Sequence, residues 1–149
     1  MPSDYQRLTE KNERRLGTDT ASRRTQVSMY ADPAHFVYEI LQNADDKGAT
    51  EVEFSVTSEG LVILHDGTPF SEKDVEGITY FGKSQSRDDR RLTGRFGVGF
   101  KSVFAYTAAP RISSGDESFE IYGLYRARKW PRPKDLGPDK TRIELPFNH

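Results

Sequence analysis

The stretch "DPAHFVYEILQNADDKG" (32–48) constrains this chain more than any other. Asp32 offers a side-chain oxygen at the N-cap position, and Pro33 suits the first helical position, where it has no N–H to lose. Lys47 falls in the last turn and Gly48 stops the helix. Val37, Ile40, Leu41 and Ala44 recur at i, i+3, i+4 and i+7, one apolar stripe that must lie on a core. Glu39, Asn43 and Asp46 recur at i, i+4 and i+7 as a second line, expected well away from the first. Three polar side chains on a helix usually mean a solvated face. This trio can also do chemistry. A carboxylate can orient and deprotonate a water, and an amide oxygen suits Mg²⁺, which keeps several waters and substrate phosphates around it.

The flanking segments supply the surface on which such a helix can lie. "TEVEFSV" (50–56) alternates, with Val52, Phe54 and Val56 expected on a half-buried face. "LVILH" (61–65) is a short apolar run, fit for a strand covered on both sides. Ser71 and Asp74 have capping-box spacing and open a short helix. Residues 81–95 are rich in glycine, serine and charge, a long loop of the functional kind. A helix is expected over 99–107, a hairpin over 111–125, an irregular proline-rich connection over 127–139 and a final alternating strand over 140–147. Residues 1–31 are charged with little apolar periodicity, and read as an N-terminal arm or a loosely packed helix outside the core. The mixture predicts an α/β (α+β) two-layer sandwich, with a mixed, mainly antiparallel sheet covered on one face by helices.

"GRFGVGFKS" (94–102) places Gly94, Gly97 and Gly99 within six positions. It fails the mononucleotide pattern G-x-x-x-x-G-K-[ST], because Phe100 separates Gly99 from Lys101. It also reverses the dinucleotide order G-x-G-x-x-G. The underlying physics remains: without Cβ atoms, backbone N–H groups can crowd an anion at the start of a helix. Asp66, at the end of "LVILH", has two readings. It can be a turn former with its own local hydrogen bonds, or it can accept a hydrogen bond from the exocyclic amine of adenine.

"EILQNADD", "HDGTPF", "GRFGVGF" and "KTRIELPF" occur in an order that resembles the four boxes of the GHKL, or Bergerat, ATP-binding fold. That fold is shared by gyrase B, ninety-kilodalton heat-shock chaperones, sensor histidine kinases and MutL. "EILQNADDKGAT" and "DGTPFSEKDV" are most similar to its sacsin-like, chaperone-like branch. The resemblance covers residues 30–147. It implies Glu39 as general base, Asn43 as the Mg²⁺ ligand and Asp46 as support for ribose and phosphate. It further implies Asp66 on the adenine amine with Thr141 behind it, and Phe70 beside the nucleotide. Gly94, Phe96, Gly97, Val98, Gly99, Phe100 and Lys101 would form the phosphate loop, with Lys83 and Ser84 as contacts from a lid over 71–95. The chain departs from the family where Gly67 directly follows Asp66, where Pro69-Phe70 replace a glycine, and where Lys140 precedes Thr141.

The expected function is slow, Mg²⁺-dependent ATP hydrolysis in a domain (32–149) that forms the N-terminal fragment of a longer protein. Lid closure would control downstream domains of the same polypeptide, with pairing into a homodimer. Two other readings stand beside it: the ATPase module of a DNA-remodelling or defence protein, and a nucleotide sensor without turnover. A histidine kinase fits poorly, since the one early histidine, His35, lies inside the nucleotide helix. The chain holds 22 basic and 23 acidic side chains and a formal charge of −1, so no global field draws in nucleic acid. The absence of cysteine excludes disulfides, thiolate metal sites and cysteine nucleophiles. No apolar run is long enough to span a bilayer, and a cytoplasmic location is expected.

Overall fold

The computed structural model describes residues 2–16, 33–79, 100, 103, 104 and 106–147. Among them are three helices, α1 (Tyr5–Leu16), α2 (Pro33–Asp46) and α3 (Glu72–Thr79). Six strands accompany them: β1 (Val52–Val56), β2 (Gly60–His65), β3 (Arg111–Ser114), β4 (Glu117–Tyr122), β5 (Arg126–Lys129) and β6 (Thr141–Pro146). They form one sheet in the order β1-β2-β6-β3-β4-β5, antiparallel at every junction. The α/β sandwich expected from the sequence is the architecture of the chain.

Strand alternation gives the sheet two unlike faces. Ile63, Ile143, Ile112 and Phe119 are successive partners across β2, β6, β3 and β4, and all four are buried. Ile40 of α2, Val75 and Ile78 of α3, and Tyr5 and Leu8 of α1 close over them in one core. One residue along, the opposite face carries Glu144, Arg111, Glu120 and Arg128 as neighbours across β6, β3, β4 and β5. Arg111 Nε donates to Glu120 Oε2 at 2.9 Å, Arg128 Nε donates to Oε1 at 2.8 Å, and Arg111 stacks 4.0 Å from the Trp130 ring centroid. Opposite charges opposite one another favour this register, and the polar face leaves the core side to the helices.

The end of α2 is built as its sequence requires. Gly48 takes a φ of 72°, the Ala49 N–H bonds the Ala44 carbonyl at 3.0 Å, and the Gly48 N–H bonds the Asp45 carbonyl at 2.8 Å. This pair of bonds, with glycine in the left-handed region, is a Schellman stop. At α3, the Ser71 N–H donates to Asp74 Oδ2 at 2.8 Å, and the Asp74 N–H returns a 3.3 Å bond to Ser71 Oγ. The capping box expected there is formed.

Five expectations change. The N-terminal segment is not outside the core, because Tyr5 and Leu8 are buried in it. The apolar stripe of α2 ends early: Ile40 and Ala44 are buried, whereas Leu41 is 43% exposed. Strand β1 lies at the sheet edge, so Phe54 and Val56 remain exposed, Val56 by 77%. β2, next to that edge, buries Gly60, Ile63 and His65, while Leu61, Val62 and Leu64 are only partly covered. The region expected to be irregular begins with a strand instead, β5, which pairs with β4 through Phe119↔Lys129 and the following pairs. Gly123 and Leu124, with φ of 59° and 76°, make the tight reversal before it.

Candidate functional site

The expected trio on α2 divides. Glu39 and Asn43 are buried, and Asp46 is exposed with Oδ1 accepting from Gln42 Nε2 at 3.3 Å. At 100° per residue, Glu39 and Asn43 border the Ile40–Ala44 edge of the helix instead of lying on a separate solvated face. Asn43 is 4% exposed, and neither Oδ1 nor Nδ2 meets a hydrogen-bond partner among the described residues. Leaving a buried amide unpaired costs about 1–3 kcal/mol, so this side chain is what a bound group would complete. Its oxygen fits Mg²⁺: a hard neutral donor, needing few protein partners when phosphates and waters supply the rest.

Beneath α2, the inner face of the sheet ends in a polar row. His65, Thr141, Ser114 and Glu117 are consecutive partners across β2, β6, β3 and β4. Thr141 is fully buried, with Oγ1 2.6 Å from Ser114 Oγ, and Ser114 Oγ also accepts the Phe70 N–H at 2.8 Å. Thr141 is therefore held in place by Ser114. Phe70 and Phe100, expected beside the nucleotide, have their side chains in the hydrophobic core. Their apolar bodies bury best there.

Asp66 follows the turn-forming reading. Its Oδ1 accepts the Thr50 N–H at 2.8 Å and the Glu51 N–H at 3.0 Å, and Oδ2 takes the Thr50 hydroxyl. These bonds, the hydroxyl first, lower its pKa to about 2. The carboxylate thus ties the end of β2 to the connection between α2 and β1, and is not turned to the inner face.

His65, which sequence reasoning passed over, is the side chain on that face. It is 4% exposed and sits beside Thr141. The Gly67 N–H donates to His65 Nδ1 at 3.1 Å, and the Thr68 N–H bonds the Lys47 carbonyl at 2.8 Å. Burial lowers the His65 pKa, with nearby Lys47 adding to the effect and Asp66 opposing it. Strand alternation counted from Ile63 was the signal that could have found it.

Lys83, Ser84, Gly94, Phe96, Gly97, Val98, Gly99 and Lys101 lie outside the described residues, as does most of the expected lid over 71–95; of the helix expected over 99–107, Phe100, Val103, Phe104, Tyr106 and Thr107 are described. Among the described residues, no three His, Asp or Glu side chains group as a metal site, and no helix is long and apolar enough to cross a membrane.

The fold defines a class, an antiparallel six-stranded sheet with helices on one face. A solved structure described as the N-terminal domain of a DNA repair protein shares it, with a TM-score of 0.57 at 12% identity, over 99% of this chain and 42% of that one. Residues 55–122 match the Sacsin domain family. Over 105 residues (59% of this chain) the sequence is 34% identical to human sacsin, and over 98 residues (62%) it is 31% identical to Protein NO VEIN of Arabidopsis thaliana. These matches support a sacsin-like family for this chain. It spans 2% of sacsin and 4% of NO VEIN.

Proposed function

We propose that this chain is a nucleotide-binding module that takes Mg²⁺-ATP between α2 and the inner face of the sheet and hydrolyses it slowly. The observation that carries this reading is the buried amide of Asn43, unsatisfied among the described residues, one helical turn from buried Glu39. Mg²⁺, when bound, would neutralise phosphate charge, and Asn43 Oδ1 is the group that would hold it. Glu39 would orient the attacking water and accept its proton. Asp46, exposed at the same end of α2, would reach the ribose and phosphates. The glycine box at 94–99 would supply backbone donors for the phosphates.

The resemblance to the GHKL fold and the sacsin-like matches support these roles. Because the relatives are far longer, we place the module inside a larger chaperone-like or regulatory protein whose state follows nucleotide binding. Calorimetric titration with ATP, with and without Mg²⁺, tests the reading. Asn43→Ala should lose the Mg²⁺-dependent part of the affinity, about tenfold or more, as when a group at a metal is removed. Glu39→Ala should keep binding and lose hydrolysis, measured as released phosphate. A chain that binds no nucleotide in the presence of Mg²⁺ would sink the proposal.

A further inference from the structure

The two edges of the sheet, β5 and β1, are finished differently. At β5, Thr9 Oγ1 of α1 accepts the Ala127 N–H at 2.9 Å and donates to the Ala127 carbonyl at 3.0 Å, which caps backbone groups that could template a further strand. At β1, nothing pairs on the outer side among the described residues. The Thr57 N–H bonds the Gly60 carbonyl at 2.8 Å, so Ser55 and Glu53, which alternate with that pair, direct their backbone groups to β2. The N–H and C=O groups of Val52, Phe54 and Val56 therefore point out of the edge. Their side chains lie on the helix-covered face, since Phe54 partners the core residue Ile63. Phe54 is 36% exposed and Val56 77%. The strand has no proline, no lysine and no bulge to blunt it.

Two copies of β1 can meet in few ways, because outward-facing backbone groups must lie opposite outward-facing groups. A two-fold axis at Phe54, perpendicular to the sheet, sets Phe54 opposite Phe54 of the second copy. Val52 then meets Val56, and Glu53 meets Ser55. The whole strand pairs, its apolar side chains form one row on the helix-covered face, and no carboxylate faces another. An axis at Glu53 would set the two glutamates opposite each other. An axis at Ser55 would leave Val52 beyond the end of the partner strand. Like charges directly opposite are unfavourable in a sheet, and apolar pairs are favourable. The edge is thus complementary to itself in one register.

We infer that β1 is the contact between two copies of this chain, joined edge to edge through antiparallel pairing centred on Phe54. With 5 residues a side the interface is small, so the dimer is weak, with a Kd on the order of 0.1 mM. The test is sedimentation equilibrium of the unmodified chain, without nucleotide, from about 10 µM to about 1 mM. Its mass should rise from monomer towards dimer. Val56→Pro removes an outward N–H, a change that an edge strand tolerates, and should raise the Kd about tenfold or more, the scale of the lost hydrogen bonds. Ser55→Glu sets a carboxylate opposite Glu53 of the second copy and should also weaken the dimer. Adding Glu53→Lys to it should restore pairing, because the facing charges become opposite. A chain that stays monomeric at about 1 mM overturns the inference and leaves the edge to a strand of another protein. A dimer that neither Val56→Pro nor Ser55→Glu weakens overturns it too, and if Val56→Pro does not fold, the two charge variants decide. The experiment uses no nucleotide, so its failure leaves the reading of Asn43 and Glu39 standing.

Discussion

A single peptide step separates two side chains that respond to acid for different reasons. Asp66 is ionised in the folded chain down to about pH 2, against 3.8 for the free group, because Thr50 and Glu51 donate to its charged form. Its contribution to stability is complete above about pH 4 and is lost as pH falls from there towards 2. His65 is held neutral by burial, with its pKa lowered from 6.5. The unfolded chain takes up that proton below about pH 6.5 while the folded chain resists, so stability falls on the acid side of 6.5 as well. Melting temperature followed from pH 8 to pH 2 should therefore decline in two windows, one starting near 6.5 and one near 4. Asp66→Asn should flatten the lower window and, by removing the charge that opposes the lowering at His65, deepen the upper one. An unchanged acid limb in that variant would show that its bonds to Thr50 and Glu51 do not form. At this scale the sequence was half legible. The spacing of Glu39 and Asn43 picks out two buried polar groups of α2, but spacing cannot report that they are buried. His65 was hidden by its neighbour, because an acidic residue attracts a binding argument more readily than an imidazole does.

At the scale of elements, punctuation was easy to read and edges were not. Gly48, Ser71 and Asp74 act locally, within a few residues, so their motifs announce the end of α2 and the start of α3. The exposure of β1 and the pairing of β5 depend on which strand lies beside which, information that no short window contains. The β2–α3 connection is held against α2 by the Thr68 bond to the Lys47 carbonyl and by the Lys47–Asp74 ion pair. That pairing brings the α3 cap against the end of α2. It works only because Gly67 has no side chain: a Cβ there would lie 2.8 Å from Lys47 Cβ and 3.1 Å from the Lys47 carbonyl oxygen. Gly67→Ala should cost about 1–3 kcal/mol, the usual penalty for overpacking a tight contact, measured by urea unfolding. Unchanged stability in this variant would mean that the turn relaxes freely and does not depend on the close approach.

Across the whole molecule, the N-terminal segment is as much part of the sandwich as the helices that carry the site. Its sequence is too charged to announce this, because the apolar residues it buries are only two, Tyr5 and Leu8, beside the polar Ser3, Thr9 and Asn12. Glu117, buried at the far end of the polar row, accepts the Ser3 N–H at 3.0 Å, the Ser3 hydroxyl at 2.7 Å and the Tyr5 hydroxyl at 2.7 Å. Tyr5 in turn accepts the Ser118 N–H at 2.9 Å, and its ring packs 5.1 Å from Phe119. Further along α1, Thr9 Oγ1 bonds both the carbonyl and the N–H of Ala127 in β5. The row that begins at His65 thus ends under α1, and the sheet that backs the site is clamped at both ends. Burial, and after it the hydrogen bond to Glu117, raises the Tyr5 pKa well above the 10.0 of a free phenol. The folded chain keeps the proton where the unfolded chain releases it, so this contribution is whole below pH 10 and is lost as pH rises beyond it. Tyr5→Phe retains the ring and removes both bonds of the hydroxyl. It should destabilise the chain by about 1.5–3 kcal/mol, the range for a hydrogen bond to a charged group, and should lack the stability change that the unmodified chain shows above pH 10. Both follow from urea unfolding at pH 7 and at pH 10.5. If Tyr5→Phe unfolds at the same urea concentration as the unmodified chain, the N-terminal helix lies on the sheet without stabilising it, and the clamp is at one end only.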